Sequence, residues 1–366
     1  MIVESITTRQ FRNLTALNWK PFSGLNILIG KNGQGKTNLL ESIYFAASTR
    51  SCRINDSKAM IQHDKDNCVV EMQYYSNHAS HNVKMVIYNQ GKSIFDDGKL
   101  LKRSSDYIGK CLTVIFLPSD VSLLDEQPSQ RRSMIDQELA KCDRDYLNAL
   151  MNYNALLKKR NLLLKQDNVD DTYLDVLTDQ LIQVASIIIY KRNQLINYLN
   201  QTLPRIYSDI MNEASVVTLQ YKTSVDCKNN ISTQLKKLYQ ANISNDKLNK
   251  VTTIGCHKDD FLFYKDNYLA KTVASQGQKR ALILAYKLAI NQWIHDTVGQ
   301  YPILLLDDVL SELDKFNQQH LLTLFNTEQQ TIVTTCQNED WFNKVASVTM
   351  IENGRIVDQR RISYDG

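Results

Sequence analysis

The sequence predicts an α/β core that is interrupted by a mainly helical insertion. In the first and last parts of the chain, short apolar runs alternate with helix-like runs, a pattern typical of α/β folds. Between them the sequence becomes helical and rich in Leu, Lys, Gln and Asn. We therefore expect a head lobe formed by 1–118 and 250–366, and an inserted second lobe formed by 119–249.

The first part of the chain predicts several strands around one helix. "GLNILIG" (24–30) is a short apolar run that ends in glycine, and "TNLLESIYFAAS" (37–48) places Leu39 and Ile43 near one helical face. "NCVVEMQYYS" and "HNVKMVIYNQG" are typical of paired strands with an Asn/Gly-rich turn. "CLTVIFLPSD" is a further buried strand, which Pro118 should end.

The middle part predicts two long helices. "YLNALMNYNALLKKRNLLLKQ" is amphipathic, and a second helical run follows the polar turn at 167–171. Pro204 is expected to end this second helix. Its most apolar stretch, 184–196, is interrupted by Lys191 and Arg192, so no segment is expected to span a bilayer.

The last part returns to alternating strands and helices. A hairpin about "KDN" precedes the long helical run "GQKRALILAYKLAINQWIHD". "YPILLLDD" predicts a strand, "SELDKFNQQHLLTLF" a helix and "QQTIVTTC" a strand. The chain then forms a predicted hairpin about Asn353–Gly354, a dipeptide that favours tight β-turns.

Composition narrows the class of protein. The 366 residues carry a net charge of +4, a mildly basic balance that permits a nucleic-acid partner without requiring one. The seven cysteines are scattered, and no pair has the short spacing of a zinc site. An odd number of unclustered cysteines favours reduced thiols and a cytoplasmic location.

A glycine-rich turn between the strand at 24–30 and the next helix carries the first chemical signal. Residues 30–37 fit the phosphate-binding pattern GxxxxGK[ST] in its required context, strand before and helix after. The backbone N–H groups and the helix start would hold nucleotide phosphates, Lys36 would reach the terminal phosphates, and the Thr37 hydroxyl would ligate Mg²⁺. The predicted nucleotide-binding residues are Gly30, Lys31, Asn32, Gly33, Gln34, Gly35, Lys36 and Thr37.

A pair of acidic residues supplies the second signal. In "ILLLDDVLSELD" (303–314), four apolar residues lead into Asp307 and Asp308. A buried strand that delivers an acid at its carboxyl end is how phosphate-loop proteins hold their metal, so Asp307 is the predicted Mg²⁺ ligand. Asp308 could act as a general base that orients the attacking water, with Lys36 as the second catalytic residue. A plain helix cap could explain either acid alone.

A third signal lies at the start of the long helix. In "ASQGQKRAL" (274–282), Ser275 and Gly277 open a strongly helical stretch. Such a start can donate N–H groups to an anion, although many are simple caps. With the other two signals it resembles the signature motif of ABC-type ATPases, which closes on the γ-phosphate held by a second subunit. "SELD" (311–314) resembles the D-loop of the same interface.

The whole chain resembles the RecF family of bacterial recombination and repair ATPases. The residues that carry the resemblance are "FRNL" (11–14), "GKNGQGKTNLLESIY" (30–44), "RSCR" (50–53), "FLPSDVSLLDEQPSQRRSMID" (116–136), "GCHKDDFLF" (255–263), "ASQGQKRALILAYKLA" (274–289) and "LLLDDVLSELD" (304–314). The resemblance implies an ABC-type, Rad50-like ATPase head, an inserted helical lobe, and ATP and Mg²⁺ as cofactors, with Ser275 and Gly277 acting in trans.

The resemblance also implies a role in DNA repair, recombination, replication and the SOS response. An ATP-dependent homodimer would clamp single- and double-stranded DNA at gaps and support loading of RecA, together with the mediators RecO and RecR. Asp308 stands where ABC ATPases commonly carry Glu, which implies weak, DNA-stimulated hydrolysis. The expected switch histidine is missing from "IVTTCQ" (332–337), and Cys256 stands where the family more often has proline.

The sequence leaves the DNA contact and two rival functions open. Arg50, Arg53, Arg131 and Arg132 are the predicted DNA-binding residues, and without a readout motif we expect backbone-directed, salt-sensitive binding. One rival is an ABC transporter-type ATPase subunit. The other is a structural SMC-like head with ATP as a static cofactor.

Overall fold

A computed structural model of the chain describes residues 1–54, 56–309, 321, 325, 328–336 and 346–362. It divides into two compact units: residues 1–121, 209–212 and 280–366 form the first, and residues 122–208 and 213–279 form the second. This division differs from the predicted lobes mainly at 250–279, which belongs to the second unit because β10 pairs with β9 there.

Among the residues that the structure describes, the first unit contains two six-stranded sheets. The strands of the antiparallel sheet are β1 (Ile2–Phe11), β2 (Leu14–Trp19), β4 (Asn67–Ser76), β5 (Ala79–Tyr88), β6 (Gly91–Asp96) and β7 (Lys99–Leu100), in the order β2-β1-β4-β5-β6-β7. Those of the mixed sheet are β3 (Leu25–Ile29), β8 (Thr113–Phe116), β12 (Ile303–Leu306), β13 (Thr331–Thr335), β14 (Ala346–Glu352) and β15 (Arg355–Ile362), in the order β15-β14-β3-β13-β12-β8.

The mixed sheet positions the site. β3 lies between β14 and β13 and is parallel to both, and β12 is parallel to β13 and β8. All five residues of β3 are buried, as expected for a strand covered on both faces. Parallel neighbours deliver their carboxyl ends to one edge of the sheet, where α/β proteins bind ligands.

Helix α1 (Lys36–Ser48) lies between the two sheets. It contacts β1, β4 and β5 of the antiparallel sheet and β8 and β13 of the mixed sheet. Its buried Leu39, Ile43 and Phe45 belong to one hydrophobic core that spans both sheets. Because this core fixes the helix along its length, it also fixes the helix start, where the phosphate loop ends.

The second unit is mainly helical. Its helices are α2 (Pro128–Cys142), α3 (Arg144–Leu163), α4 (Asp171–Met211), α5 (Ile231–Asn249) and α6 (Ala270–Val273), and α7 (Gln276–Val298) begins in it and continues into the first unit. A small antiparallel sheet in the order β11-β10-β9 completes it, with β9 (Val217–Lys222), β10 (Asp260–Lys265) and β11 (Tyr268–Leu269).

Helix α4 differs from the two sequence predictions made for it, which were an end at Pro204 and no capacity to span a bilayer. It continues through Pro204 to Met211, because Leu203 and Tyr207 are fully buried and their packing outweighs the missing hydrogen bond. By length and composition alone it could also cross a membrane, contrary to our expectation. That is weak evidence, because the core helix of a globular unit has the same properties, and α4 buries a paired arginine, Arg192, in its centre.

A buried charge network surrounds Arg192 in the second unit. The guanidinium is 2% exposed and donates to Asp136 at 2.8 and 3.0 Å, to Asp259 at 3.1 Å and to the carbonyl of Cys256 at 2.8 Å. Tyr221 and Tyr146 donate to the two carboxylates at 2.5 and 2.6 Å. Every charge in the network therefore has a charged partner and further hydrogen bonds, as a buried ion pair requires.

Candidate nucleotide-binding site

The predicted phosphate loop joins β3 to α1, as the sequence indicated. Gly35 caps the helix with a φ of 109°, a left-handed conformation that favours glycine. A Cβ at Gly35 would lie 2.9 Å from Asn13 Oδ1, and one at Gly30 would lie 2.4 Å from the carbonyl oxygen of Ile351. Both ends of the loop are therefore packed tightly against neighbouring residues, and the loop leads directly into the helix start, where N–H groups can bind phosphates in a cradle.

Lys36 lies inside this cradle. Its ammonium group donates to the carbonyls of Gly30 at 2.5 Å and Lys31 at 3.0 Å, and lies 3.4 Å from the Cys336 sulfur. The side chain is 7% exposed and has only neutral partners among these contacts. A cation held by carbonyl groups is ready to exchange them for phosphate oxygens, which are stronger, charged acceptors.

Thr37 and Asp307 meet across the site. The Thr37 hydroxyl lies 2.8 and 2.9 Å from the two oxygens of Asp307, and Thr334 donates to the same carboxylate at 2.7 Å. Burial raises the pKa of Asp307, and the two hydroxyl hydrogen bonds oppose the shift. The structure thus brings together the two predicted Mg²⁺ ligands, at the carboxyl end of β12.

Asp308 follows in an unusual backbone conformation. Its φ is 47°, in the left-handed region that non-glycine residues adopt rarely and often at functional sites. Its N–H donates to the Thr334 hydroxyl at 2.9 Å, and its carbonyl accepts from Arg280. These contacts hold the backbone at 308.

A polar cavity of about 320 Å³ opens on these groups. Its lining consists of Asn32, Gly33, Gln34, Gly35, Lys36, Thr37, Asn38, Arg53, Pro118, Asp307, Asp308, Thr334 and Cys336. The cavity therefore brings together both acids and six of the eight predicted phosphate-loop residues. The other two residues, Gly30 and Lys31, contact Lys36 through their carbonyls. The polar lining, the helix start and the buried lysine together fit a polyphosphate ligand.

A network behind the loop was missed by the sequence reasoning. Asn13 donates to the carbonyl of Gly33 at 3.0 Å and accepts from Asn38 at 2.8 Å, and Asn38 in turn accepts from Arg53 at 3.0 Å. The fully buried Glu41 pairs with Arg12 at 2.9 Å and lies 3.6 Å from Arg53. The motif "FRNL" contains Arg12 and Asn13, but nothing in the sequence indicated that these residues support the phosphate loop.

The hairpin turn at Asn353–Gly354 also contacts the loop. Gly354 donates its N–H to the carbonyl of Gln34 at 2.9 Å, and Asn353 donates to the Gln34 side chain at 2.5 Å. The predicted hairpin is confirmed as β14 and β15. It serves as a support for the phosphate loop, a role that the sequence did not indicate.

Ser275 and Gly277 lie in the second unit, at the start of α7. The Ser275 hydroxyl accepts from the N–H of Gln278 at 3.3 Å, and the Gln278 side chain accepts from the N–H of Ser275 at 3.1 Å. This reciprocal pair is a capping box. A Cβ at Gly277 would meet no atom within 4 Å, so the glycine is not required by packing within the chain.

The predicted DNA-binding arginines separate into different environments. Arg131 is 6% exposed and donates to both oxygens of Asp260 at 2.8 and 2.9 Å, so this part of the prediction is corrected: its charge is used inside the second unit. Arg132 is partly buried and donates to the carbonyl of Asp259 at 2.7 Å. Arg53 lines the nucleotide cavity, and Arg50 is exposed.

Two predicted features fall outside the described residues: the "SELD" segment at 311–314 and Gln337. Where a switch histidine was expected, the structure places Thr334, which bridges the two acids, and Cys336, whose thiol lies 2.9 Å from the Asn32 side chain. The sequence did not predict either contact, because both join separate segments of the chain.

Comparison with known proteins identifies the family. A family profile described as "RecF/RecN/SMC N terminal domain" matches residues 2–357. The chain is 34% identical to the DNA replication and repair protein RecF of Bacillus subtilis over 98% of this chain and 100% of the relative. It is 36% identical to the RecF of Oceanobacillus iheyensis over 93% of this chain and 94% of the relative. The chain belongs to the RecF family of DNA replication and repair proteins.

Solved structures agree with this membership. A structure described as the recombination mediator protein RecF-ATP in the RecFOR pathway superposes with a TM-score of 0.88, at 27% identity over 99% of this chain and 98% of the other. An Smc head bound to the C-winged helix domain of ScpA has a TM-score of 0.58 at 14% identity and supports the fold alone. The predicted fold class, an ABC-type ATPase head, is confirmed.

Proposed function

We propose that this member of the RecF family is an ATP-gated DNA clamp that acts in recombinational repair and replication. The observation that carries the proposal is the meeting of Lys36, Thr37 and Asp307 at one cavity, while the signature residues Ser275 and Gly277 begin a helix in the other compact unit. A nucleotide bound in one chain would then be completed by the helix start of a second chain.

The residues of the cavity suggest how ATP is held. Lys36 would exchange the carbonyls of Gly30 and Lys31 for the terminal phosphates, and the N–H groups of the loop would hold the remaining phosphate oxygens. Thr37 and Asp307 would hold Mg²⁺, which neutralises phosphate charge when it is bound. Mg²⁺ usually takes one or two protein ligands together with phosphate oxygens and waters, so this small ligand set suffices.

Asp308 is the proposed general base. Its side chain is shorter than the glutamate that ABC ATPases commonly carry there, and Thr334 stands nearby instead of a histidine. Both departures weaken the activation of water, so hydrolysis should be slow. We expect ATP to act mainly as a dimerisation switch, with weak turnover that DNA stimulates.

The proposed partner is DNA, bound through its backbone with little sequence preference. The mildly basic balance and the exposed Arg50 are compatible with phosphate contacts, and such binding should weaken steeply with salt. RecO and RecR are the proposed direct partners, with RecA loading and the SOS response downstream. This work on chromosomal DNA would take place in the cytoplasm.

The two rival functions make different predictions. A transporter-type ATPase would associate with membrane proteins, and its turnover would not respond to DNA. A static SMC-like head would bind ATP without measurable hydrolysis, even with DNA present. ATP turnover and dimerisation, each measured with and without gapped DNA, separate all three functions.

The central experiment is analytical ultracentrifugation with and without ATP and Mg²⁺. We expect the chain to shift from monomer to dimer with ATP, and the shift to be stronger with gapped DNA. An unchanged sedimentation coefficient at saturating ATP would exclude the clamp.

A variant at the signature helix tests action in trans. Ser275→Arg places a long cation where the second chain's γ-phosphate would lie, so it should abolish ATP-driven dimerisation and leave ATP binding by the monomer intact. Ser224→Arg, an equivalent change at another exposed serine of the same unit, is the matched control and should dimerise normally. Loss of ATP binding in Ser275→Arg would argue that Ser275 acts on the nucleotide of its own chain.

A further inference from the structure

The solvent face of α4 carries an uncharged stripe that no feature of the nucleotide site explains. Exposed uncharged side chains follow the alternating spacing of three and four residues that aligns them along one helix face, and six of them lie in the first half of the helix. These are Tyr173, Val176, Gln180, Gln183, Ile187 and Tyr190, and all six are exposed. We call this set the α4 stripe. The exposed face of a long helix normally carries charged residues, so an uncharged stripe needs a cause.

The exposed apolar residues of the α4 stripe are large. Tyr173 and Tyr190 are 47% and 51% exposed, and Val176 and Ile187 are 49% and 42% exposed. The opposite face of the same helix is buried, with residues such as Leu181 and Ile188 fully inaccessible. The stripe is therefore a second apolar face, separate from the one that holds α4 in its own unit.

The order of residues in the α4 stripe is palindromic. A twofold axis perpendicular to the helix between residues 181 and 182 exchanges Tyr173 with Tyr190, and Val176 with Ile187. It also exchanges Gln180 with Gln183. Each residue would then meet its chemical equivalent on an antiparallel helix of the same sequence. Self-complementarity under a twofold axis is what an isologous homodimer interface requires.

We infer that the α4 stripe is a docking surface for the α4 stripe of a second copy of this chain, in antiparallel orientation. Tyrosine layers lie at the two ends, Val176 packs on Ile187 of the second copy, and glutamine amides pair in the centre. Polar layers in a helix pair specify register, because any shift would set the amides against apolar side chains. The contact needs no nucleotide and is separate from ATP-driven dimerisation.

Charges beside the stripe do not oppose this pairing. Asp179 lies 3.7 Å from Lys236, and Lys191 lies 2.7 Å from Asp143, so these two neighbouring charges have partners within their own chain. The stripe spans roughly 25 Å, at about 1.5 Å of helix rise per residue. We expect a contact confined to one helix face to bury less than the roughly 800 Å² per partner of a standard interface, so it should be weak and depend on protein concentration.

Cysteine cross-linking tests the arrangement directly. The parent is the full chain with Cys336→Ser, since Cys336 is the one native cysteine in the exposed class. The antiparallel pairing places residue 180 against residue 183 of the second copy. Mild oxidation of a mixture of Gln180→Cys and Gln183→Cys chains, without nucleotide, should therefore give at least tenfold more mixed disulfide dimer than either variant gives alone.

Charge variants provide the second arm. Ile187→Lys should weaken nucleotide-free self-association at least tenfold in sedimentation equilibrium, and Val176→Asp in the same chain should restore it, because the two residues face each other across the axis. Asn148→Lys, at an exposed asparagine of α3, is the control and should have no effect. Preferential 180–180 disulfides would indicate a parallel pair and overturn the inference, as would equal self-association of the parent and Ile187→Lys.

Discussion

The nucleotide site in the first unit and the Arg192 network in the second both bury charged side chains, but the partners of those charges differ. Arg192 has two carboxylates, a carbonyl and the supporting tyrosines around it, all from its own unit. Lys36 has two backbone carbonyls and a nearby sulfur. Asp307 has two hydroxyls and no cation within salt-bridge distance among the described residues.

This difference separates structure from function. A buried ion pair that is fully satisfied holds one conformation, and removing a partner leaves an uncompensated charge. A buried charge with neutral partners can bind a ligand of opposite charge tightly, because charge-assisted hydrogen bonds to that ligand are stronger than the neutral contacts that they replace. Ligand binding at the nucleotide site should therefore change the stability of the protein. In the Arg192 network, mutation should change it instead.

The largest expected effect is on the Arg192 network. Arg192→Ala leaves Asp136 and Asp259 buried without their cation, so the free energy of unfolding should fall by about 3–5 kcal/mol. Chemical denaturation of the nucleotide-free chain measures this loss. Arg205→Ala, at an exposed arginine on the same helix, is the control and should change stability by less than about 0.5 kcal/mol. Equal effects would mean that the network contributes nothing to folding.

A change at the metal site should act on ligand binding instead. Asp307→Asn removes a carboxylate whose pKa is already raised by burial, so the stability of the nucleotide-free chain should not fall. The stabilisation by ATP and Mg²⁺, about 2.7 kcal/mol at a hundredfold excess over Kd, should be largely lost. Thermal denaturation with and without nucleotide measures both quantities.

Metal removal is the control for that variant. EDTA added to the unmodified chain with ATP should reproduce the loss, and EDTA should have little further effect on Asp307→Asn. If the variant kept its full metal-dependent stabilisation, Asp307 would not be a ligand of Mg²⁺.

A third effect concerns pH and His257 in the second unit. Its ring accepts from Tyr153 at 2.6 Å and donates to the carbonyl of Thr252 at 3.1 Å, and burial lowers its pKa to about 4. The unfolded chain takes up this proton near pH 6.5 and the folded chain does not, so the contribution of His257 to stability should be constant above that pH. Between pH 6.5 and 4 it should fall, by at most about 1.4 kcal/mol per pH unit for this residue.

Replacing the histidine isolates its share of that pH dependence. His257→Gln should flatten the decline of stability between pH 6.5 and 4, and His63→Gln, at a side chain that is 94% exposed, should leave it unchanged. Denaturation midpoints across this range provide the measurement. A decline of the same slope in His257→Gln would assign the acid sensitivity to other groups.

The parts of the site that lie within one local segment could be predicted. Residues 30–37 form a strand, a turn and a helix start in sequence order, so the spacing of glycines and the lysine was sufficient. The acids after β12 were predictable for the same reason. Thr334, Asn13 and the turn at Asn353–Gly354 were not, because each reaches the site from a separate segment of the sequence.

The arginines show that the sequence alone does not reveal whether a charged side chain is exposed or paired. Arg53 and Arg131 are equally basic in the sequence, yet one lines the nucleotide cavity and the other is paired with Asp260 inside the second unit. A charged residue is usually exposed unless it is paired, and the partner of Arg131 is more than a hundred residues away in the sequence. Pairing at that distance has no local signal.

The sequence by itself determined the α/β class, the phosphate loop, the acids that follow β12 and the membership of a repair ATPase family, because each depends on a local pattern of residues. Only the tertiary structure decided that Lys36 donates hydrogen bonds to backbone carbonyls, that Thr334 bridges Asp307 and Asp308, and that α4 continues through Pro204. Those features depend on packing and hydrogen bonds between segments that the fold brings together, and such contacts leave no periodic or short-range trace in the sequence.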